Sequence, residues 1–139
     1  MSWIVFARLS AVFAAAVAIL GKIGLQGVDT TLATAVRAVV MAVILAIAAA
    51  GLGKFSLIGA LQARPLLFIG LSGLAGALSW FFYFLALKLG PVSAVAALDR
   101  LSVVFVVILA ALFLGEGLTW KSGLGAILIT AGAILMTIK

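Results

Sequence analysis

Cysteine and histidine are both missing from this chain of 139 amino acids. Their absence excludes disulfides, thiol catalysis and the usual ligand sets for zinc, haem and iron–sulfur clusters. Without histidine the chain also lacks the commonest general base near neutral pH. Carboxylates are scarce as well, because the chain has only Asp29, Asp99 and Glu116. The sequence therefore predicts no enzyme, no metal site and no cofactor.

Charge is the next scarce property, since 9% of the residues are charged and 68% are hydrophobic. A soluble domain carries about a quarter charged residues, so this composition excludes a soluble globular protein and a disordered one. The net charge of +6 is the balance of nine basic and three acidic residues, and no two of the basic residues are adjacent. Such scattered charge does not predict a nucleic-acid surface. The composition predicts an integral membrane protein, whose partner is the lipid bilayer.

Long apolar runs fill most of the sequence. A bilayer core about 30 Å thick requires a helix of roughly 20 mainly apolar residues. The runs do not alternate as barrel strands do, so each is predicted to be a helix. We predict an all-α integral membrane protein with five transmembrane helices in one domain, residues 1–139. The predicted helices cover about residues 3–21, 30–51, 65–87, 92–114 and 120–138.

Short helix-end signals agree with these boundaries. Asp29, followed by two threonines, is a predicted N-terminal cap for the second helix. Pro65 and Pro91 lie at helix starts, where a missing backbone N–H is tolerated.

Basic residues are shared almost equally between the two sides of the predicted topology. Five helices place the termini on opposite sides, with four Lys or Arg residues on one face (Arg8, Lys54, Arg64, Lys121) and three on the other (Lys22, Lys88, Lys139). Because asymmetry of these residues sets orientation, two alternatives stay open: one orientation by a small margin, or insertion both ways. Dual topology would allow an antiparallel homodimer, which has the inverted repeats found in many transporters.

Two stretches carry a family resemblance. Residues 82–95, FYFLALKLGPVSAV, and residues 111–116, ALFLGE, resemble the EamA domain of the drug/metabolite transporter superfamily. Arg37 stands where that domain usually has an arginine, and the resemblance covers nearly the whole chain. Typical members have two such units in inverted orientation, so the resemblance implies a single EamA-like unit here. Residues 99–102, DRLS, depart from the larger members, which usually carry a proline there.

The resemblance implies a transporter of small organic metabolites. Together with the odd number of helices, it leads us to predict alternating access in the cytoplasmic (inner) membrane by a homodimer. It does not identify the substrate. Two other functions stay open: a non-transporting membrane subunit that needs a partner chain, and a dual-topology ion channel. A carrier differs from both in showing saturable counterflow.

Three charged residues are predicted to lie inside the membrane: Arg37, Asp99 and Arg100. Each costs roughly 2.5–3.5 kcal/mol at a helix centre, so such residues normally face the bundle interior and form pairs. Asp99 and Arg100 are neighbours that point about 100° apart on a helix, so Asp99 with Arg37 is the preferred pair. The pair is either functional or purely structural. Two arginines against one aspartate favour an anionic or zwitterionic substrate over proton-coupled export of a lipophilic cation.

Trp80, Tyr83 and Ser102 complete the predicted substrate pathway. Trp80 either lines a cavity or packs against a neighbouring helix. Four glycines are candidates for close helix packing or for a dimer interface, because small residues let helices approach closely: Gly73, Gly76, Gly125 and Gly132.

Overall fold

A computed structural model describes residues 3–138, which form helices joined by short loops. The α-helices are α1 (Trp3–Gly24), α2 (Thr30–Gly51), α3 (Ala63–Leu89), α4 (Val92–Asp99), α5 (Ser102–Leu109) and α6 (Trp120–Leu135). A 3₁₀ helix, Lys54–Ala60, precedes α3, and a π-helical segment, Ala110–Leu114, follows α5. Residues 3–138 include no strand. The prediction of an all-α protein is therefore confirmed.

In the part of the chain that the structure describes, four stretches of helix are long and apolar enough to cross a membrane: Trp3–Gly24, Thr30–Gly51, Ala63–Leu89 and Val92–Leu114. The chain is therefore a multi-pass membrane protein. Helix α6 is also apolar but has 16 residues. At 1.5 Å per residue it is about 24 Å long, which is shorter than the bilayer core of about 30 Å. A fifth membrane crossing stays a prediction.

The helix ends differ from the sequence prediction at several points. Helix α1 continues to Gly24, and α3 covers Ala63–Leu89, so both are longer than predicted. Helix α6 stops three residues before the predicted end at residue 138. It stops there because the N–H groups of Thr137 and Ile138 both donate to the Ile134 carbonyl in a closing turn. Helix α2 has the predicted bounds.

The predicted fourth helix coincides with the helical stretch Val92–Leu114, which is interrupted between α4 and α5. Helix α4 ends at Asp99 and α5 begins at Ser102. Across this junction the hydrogen bonds change from the i→i−4 pattern to i→i−3: Arg100 donates to Ala97 at 3.1 Å and Leu101 to Leu98 at 3.0 Å. A short 3₁₀ stretch inside a helix often marks a hinge or local strain. Asp99 and Arg100 therefore lie at a junction.

Few side chains are buried. Within residues 3–138, eight hydrophobic residues are buried, and Leu87 is the most enclosed of them, with 0% of its surface exposed. Most large apolar side chains of the described helices are exposed. In a multi-pass membrane protein, lipid or a protein partner covers such surface.

The chain divides into two compact units. We call residues 21–88 the α2–α3 unit, and the remaining described residues, 3–20 and 89–138, the α4–α6 unit. In the α4–α6 unit, α6 packs against both α4 and α5.

In the α2–α3 unit, the start of α2 is fixed by a side-chain cap. The Asp29 carboxylate accepts hydrogen bonds from the N–H groups of Thr31, at 2.9 Å, and Leu32, at 3.0 Å. The predicted cap is therefore confirmed. The hydrogen bond from Leu32 is the largest cause that lowers the pKa of Asp29 below its ordinary value.

The ends of α1 and α3 meet at Lys22 and Gly21. The Lys22 ammonium donates to the Leu87 carbonyl and, at 3.4 Å, to the Lys88 carbonyl. Cations at a helix C-terminus satisfy its last carbonyls. A Cβ at Gly21 would lie 3.3 Å from Cζ of Phe84. The glycine thus permits the close approach of the last turn of α1 to Phe84 on α3.

Candidate functional site

A groove of about 510 Å³ lies between α2 and α3. Its lining comes from one stripe on each helix, with the three- and four-residue spacing of a helix face. The α2 stripe is Thr31, Thr34, Ala35, Arg37, Ala38 and Met41; the α3 stripe is Gly73, Gly76, Ala77, Trp80 and Phe81. The groove belongs entirely to the α2–α3 unit. Its lining contains one charged residue, Arg37, and no carboxylate.

Arg37 stacks on an aromatic side chain. The central carbon of its guanidinium lies 3.6 Å from the centroid of the Trp80 ring and 5.5 Å from that of Phe84. Seven residues separate Arg37 from the start of α2 at Thr30, a rise of about 10 Å. Both Arg37 and Trp80 are half-buried. The stack is a cation–π interaction, and tryptophan is the aromatic residue that forms the strongest interactions of this kind.

The edge of the guanidinium has no hydrogen-bond partner within its unit. Among the described residues of the α2–α3 unit, no carbonyl or carboxylate accepts a hydrogen bond from Arg37. A guanidinium carries five N–H donors in its plane, and stacking on Trp80 occupies only its face. Asp99 belongs to the α4–α6 unit, so the ion pair between Asp99 and Arg37 stays a prediction.

An aromatic cluster fixes the ring on which Arg37 stacks. The Trp80 ring lies 5.5 Å from Tyr83, edge to face, and 6.0 Å from Phe84, measured between centroids. Phe84 is buried, with 3% of its surface exposed, and it packs beside Gly21. These contacts connect the end of α1 through Phe84 and Trp80 to Arg37. Edge-to-face packing of this kind orients rings specifically.

Several predicted site residues meet in this groove. Arg37 and Trp80 line it, and Tyr83 contacts Trp80 from the side. The prediction did not include Phe84, although a residue four positions after Trp80 lies on the same helix face. It also did not include Thr34 or Met41, which share a face of α2 with Arg37 by the same spacing.

Gly73 and Gly76, predicted for helix packing, line the groove. A Cβ at either position would have no atom of the described chain within 4 Å. The same holds for Gly125 and Gly132 in α6. A role for these four glycines in a dimer interface stays a prediction.

A second cavity of about 300 Å³ lies between α5 and α6 in the α4–α6 unit. It is lined by Val104, Ala126, Ile127, Thr130, Ala131 and Ile134. Its one hydroxyl, on Thr130, donates to the Ala126 carbonyl at 2.9 Å. The cavity therefore offers apolar contacts and no charge.

Asp99, Arg100 and Ser102 lie at the junction of α4 and α5, and all three side chains are exposed. Among the described residues of the α4–α6 unit, none forms an ion pair or a side-chain hydrogen bond with Asp99 or Arg100. Residues 3–138 contain no group of three or more acidic side chains close enough to hold a metal ion.

Comparison with known proteins identifies the family to which this chain belongs. The chain belongs to the EamA-like transporter family, which is matched by residues 1–138. It is similar to a Sinorhizobium protein described as "Uncharacterized transporter in cobO 3'region", with 43% identity over 137 residues, which are 99% of this chain and 97% of that protein. No solved structure matches the chain. The chain is therefore a membrane transporter of the EamA-like family.

Proposed function

We propose that the chain carries a small anionic or zwitterionic organic metabolite across the cytoplasmic membrane by alternating access, binding it in the groove between α2 and α3. One observation carries this proposal: Arg37 is the only charged residue that lines the groove, and its guanidinium edge is unoccupied within its unit.

The energy of an intramembrane cation supports an anionic partner. An arginine near a helix centre costs roughly 2.5–3.5 kcal/mol. A cation–π stack contributes about 0.5–2 kcal/mol, so the stack on Trp80 offsets only part of the cost. An anionic group of the cargo, hydrogen-bonded to Arg37, would offset the rest.

The same charges disfavour proton-coupled export of a cation. That mechanism needs a free carboxylate at the substrate site, and the lining of the groove contains none. A cationic cargo would also be repelled by Arg37 at close range.

Alternating access requires an element that has two arrangements, and the junction between α4 and α5 is the best candidate in the described chain. Its i→i−3 hydrogen bonds at Arg100 and Leu101 interrupt a stretch that is otherwise helical from Val92 to Leu114. Interrupted membrane helices are common in transporters with inverted repeats. We assign to this junction the bending of the fourth membrane helix during transport.

The assembly is an antiparallel homodimer in this proposal. The near balance of four against three basic residues on the two sides supports insertion in both orientations. Reporter fusions at both termini test this directly. Signal from both sides of the membrane for each terminus is expected, and one clean orientation would refute the antiparallel form.

Transport itself is tested by counterflow in proteoliposomes. Vesicles containing the purified chain are preloaded with an unlabelled organic anion and diluted into a trace of the labelled anion. Saturable, transient accumulation of label is expected, compared with protein-free vesicles. Conductance far above carrier turnover would identify a channel instead, and activity that appears only with a second chain would identify a subunit.

A further inference from the structure

We infer that the cargo of the α2–α3 groove is an amphipathic monocarboxylate. Its carboxylate binds the edge of the Arg37 guanidinium, and its apolar body lies along the wall formed by Ala38, Gly73 and Gly76. The identity of the ligand as cargo rests on the proposed function; its binding does not.

The geometry of Arg37 selects a carboxylate. One face of the guanidinium lies on the Trp80 ring, at 3.6 Å from the centroid, so a ligand approaches the in-plane N–H groups. Two parallel N–H donors match the two oxygens of a carboxylate. A lysine at this position would keep the positive charge but would lack the two parallel N–H donors of the guanidinium.

The charge of the groove limits the charge of the ligand. Arg37 supplies one positive charge, and the other lining residues supply none. A monoanion neutralises this charge. A dianion such as a phosphate monoester would leave an uncompensated negative charge at this depth, which is costly in a membrane.

The remaining lining selects an apolar body. Apart from Arg37, the polar side chains that line the groove are Thr31 and Thr34. The Thr34 hydroxyl already donates to the Thr30 carbonyl at 2.7 Å. A sugar or nucleotide would therefore leave several hydroxyl groups without partners, at a cost of about 1–3 kcal/mol each by protein mutational data.

The size of the groove limits the length of that body. Its volume of about 510 Å³ lies within the range of small-molecule sites, about 300–1,000 Å³. The space over Gly73 and Gly76 is open, because a Cβ at either would meet no described atom within 4 Å. An unbranched chain or a single aromatic ring fits beside such a wall.

The test compares three ligands that share one body: 4-phenylbutyrate, 4-phenylbutylamine and 4-phenylbutanol. Binding to the full chain in phosphatidylcholine nanodiscs is measured by titration calorimetry. The Trp3→Phe/Trp120→Phe variant leaves Trp80 as the sole tryptophan, so its emission reports whether the ligand reaches the groove. We expect 4-phenylbutyrate to bind about 10- to 100-fold more tightly than the other two, which corresponds to one charge-assisted pair. Equal affinities, or tighter binding of the amine, would overturn the inference.

Two variants separate recognition from folding. Arg37→Lys is expected to weaken 4-phenylbutyrate about tenfold and leave 4-phenylbutanol unchanged. Gly73→Leu is expected to weaken both ligands by filling the groove. Gly70→Leu is the matched control, because Gly70 lies on α3 outside the lining and has the same open surroundings. If the Gly73→Leu and Gly70→Leu variants bind 4-phenylbutyrate and 4-phenylbutanol with equal affinity, the apolar body of the ligand does not lie along this wall.

Two further experiments complete the test. The first asks whether a lipid headgroup rather than the added ligand occupies Arg37, and the second compares ligand binding with transport. Nanodiscs with phosphatidylglycerol should give the same affinity as phosphatidylcholine; loss of binding there would show that a lipid headgroup occupies Arg37, against the inference. Binding of 4-phenylbutyrate without any counterflow would refute the transport proposal alone. Counterflow of a sugar or a dianion that 4-phenylbutyrate does not inhibit would refute the inference alone.

Discussion

The two units of the chain hold charge inside predicted membrane helices in different ways. In the α2–α3 unit, Arg37 stacks on Trp80 in a groove of its own unit. In the α4–α6 unit, Asp99 and Arg100 lie at a helix junction and have no ion-pair partner among the described residues of that unit. The first unit presents a groove in which the edge of the Arg37 guanidinium has no hydrogen-bond partner within that unit. The second presents charges whose partners its own residues do not supply.

This difference indicates separate roles for the two sets of charges. A cation held on a fixed aromatic platform is preorganised, so it loses little conformational freedom when it binds an anion. Charges at an interrupted helix change their surroundings when that helix bends. We therefore assign cargo recognition to Arg37 and conformational control to the junction.

Among substitutions that leave Arg37 in place, the largest effect should come from removing the aromatic platform. Trp80→Leu removes the stack on Arg37, and we expect counterflow to fall about tenfold, since about 1.4 kcal/mol corresponds to that factor. The matched control is Trp120→Leu at the start of α6, where the side chain is 81% exposed and flux should change less than about twofold. Equal losses would show that the platform has no special role.

The junction charges should give the next largest effect. Arg100→Gln is expected to reduce anion counterflow by several-fold, and Asp99→Asn by less, because Arg100 lies within the i→i−3 stretch that separates the two helices, whereas Asp99 is the last residue of α4. Flux is measured as a ratio to the amount of folded protein. Selective loss in Asp99→Asn, accompanied by loss of cation export, would favour a proton-coupled cation carrier.

Close packing in the α2–α3 unit gives a prediction on stability. Gly21→Ala places a Cβ 3.3 Å from the Phe84 ring, and overpacking costs about 1–3 kcal/mol. Gly24→Ala, three residues on in the same helix, meets no described atom within 4 Å and should be neutral or stabilising. Thermal unfolding in detergent compares the two, and a greater loss for Gly24→Ala would contradict the contact.

The smallest effect concerns pH. Hydrogen bonds to the α2 backbone lower the pKa of Asp29, so its cap is fully formed above the ordinary aspartate pKa and is lost as pH falls through the lower, folded-state value. Wild type should therefore lose more of its Tm between pH 7 and pH 3 than Asp29→Asn, which keeps an uncharged cap. An identical loss in both would show that the cap does not depend on the charge.

Sequence patterns predicted the parts of this fold that depend on composition and local chemistry. The bounds of α2 and the Asp29 cap are visible in the sequence, because a cap residue and an apolar run are local features. The interruption at Arg100 is not visible, because the residues from Val92 to Leu114 remain apolar enough to read as one helix. Periodicity reports hydrophobicity and does not distinguish i→i−3 from i→i−4 hydrogen bonds.

The candidate site was partly predictable for the same reason. Arg37 was singled out as a charge in an apolar helix, and Trp80 as an aromatic residue beyond the middle of another. Their stacking at 3.6 Å depends on how α2 and α3 approach each other, which no single helix encodes. Phe84 entered the site only through its contacts with Trp80 and Gly21.

The most direct test of the central claim, that Arg37 binds an anionic cargo, is counterflow of labelled 4-phenylbutyrate in proteoliposomes. Wild type, Arg37→Lys and Arg37→Gln are compared at equal amounts of folded protein. We expect saturable flux in wild type, flux reduced about tenfold in Arg37→Lys, and flux at the level of protein-free vesicles in Arg37→Gln. Undiminished saturable flux in Arg37→Gln would contradict the central claim.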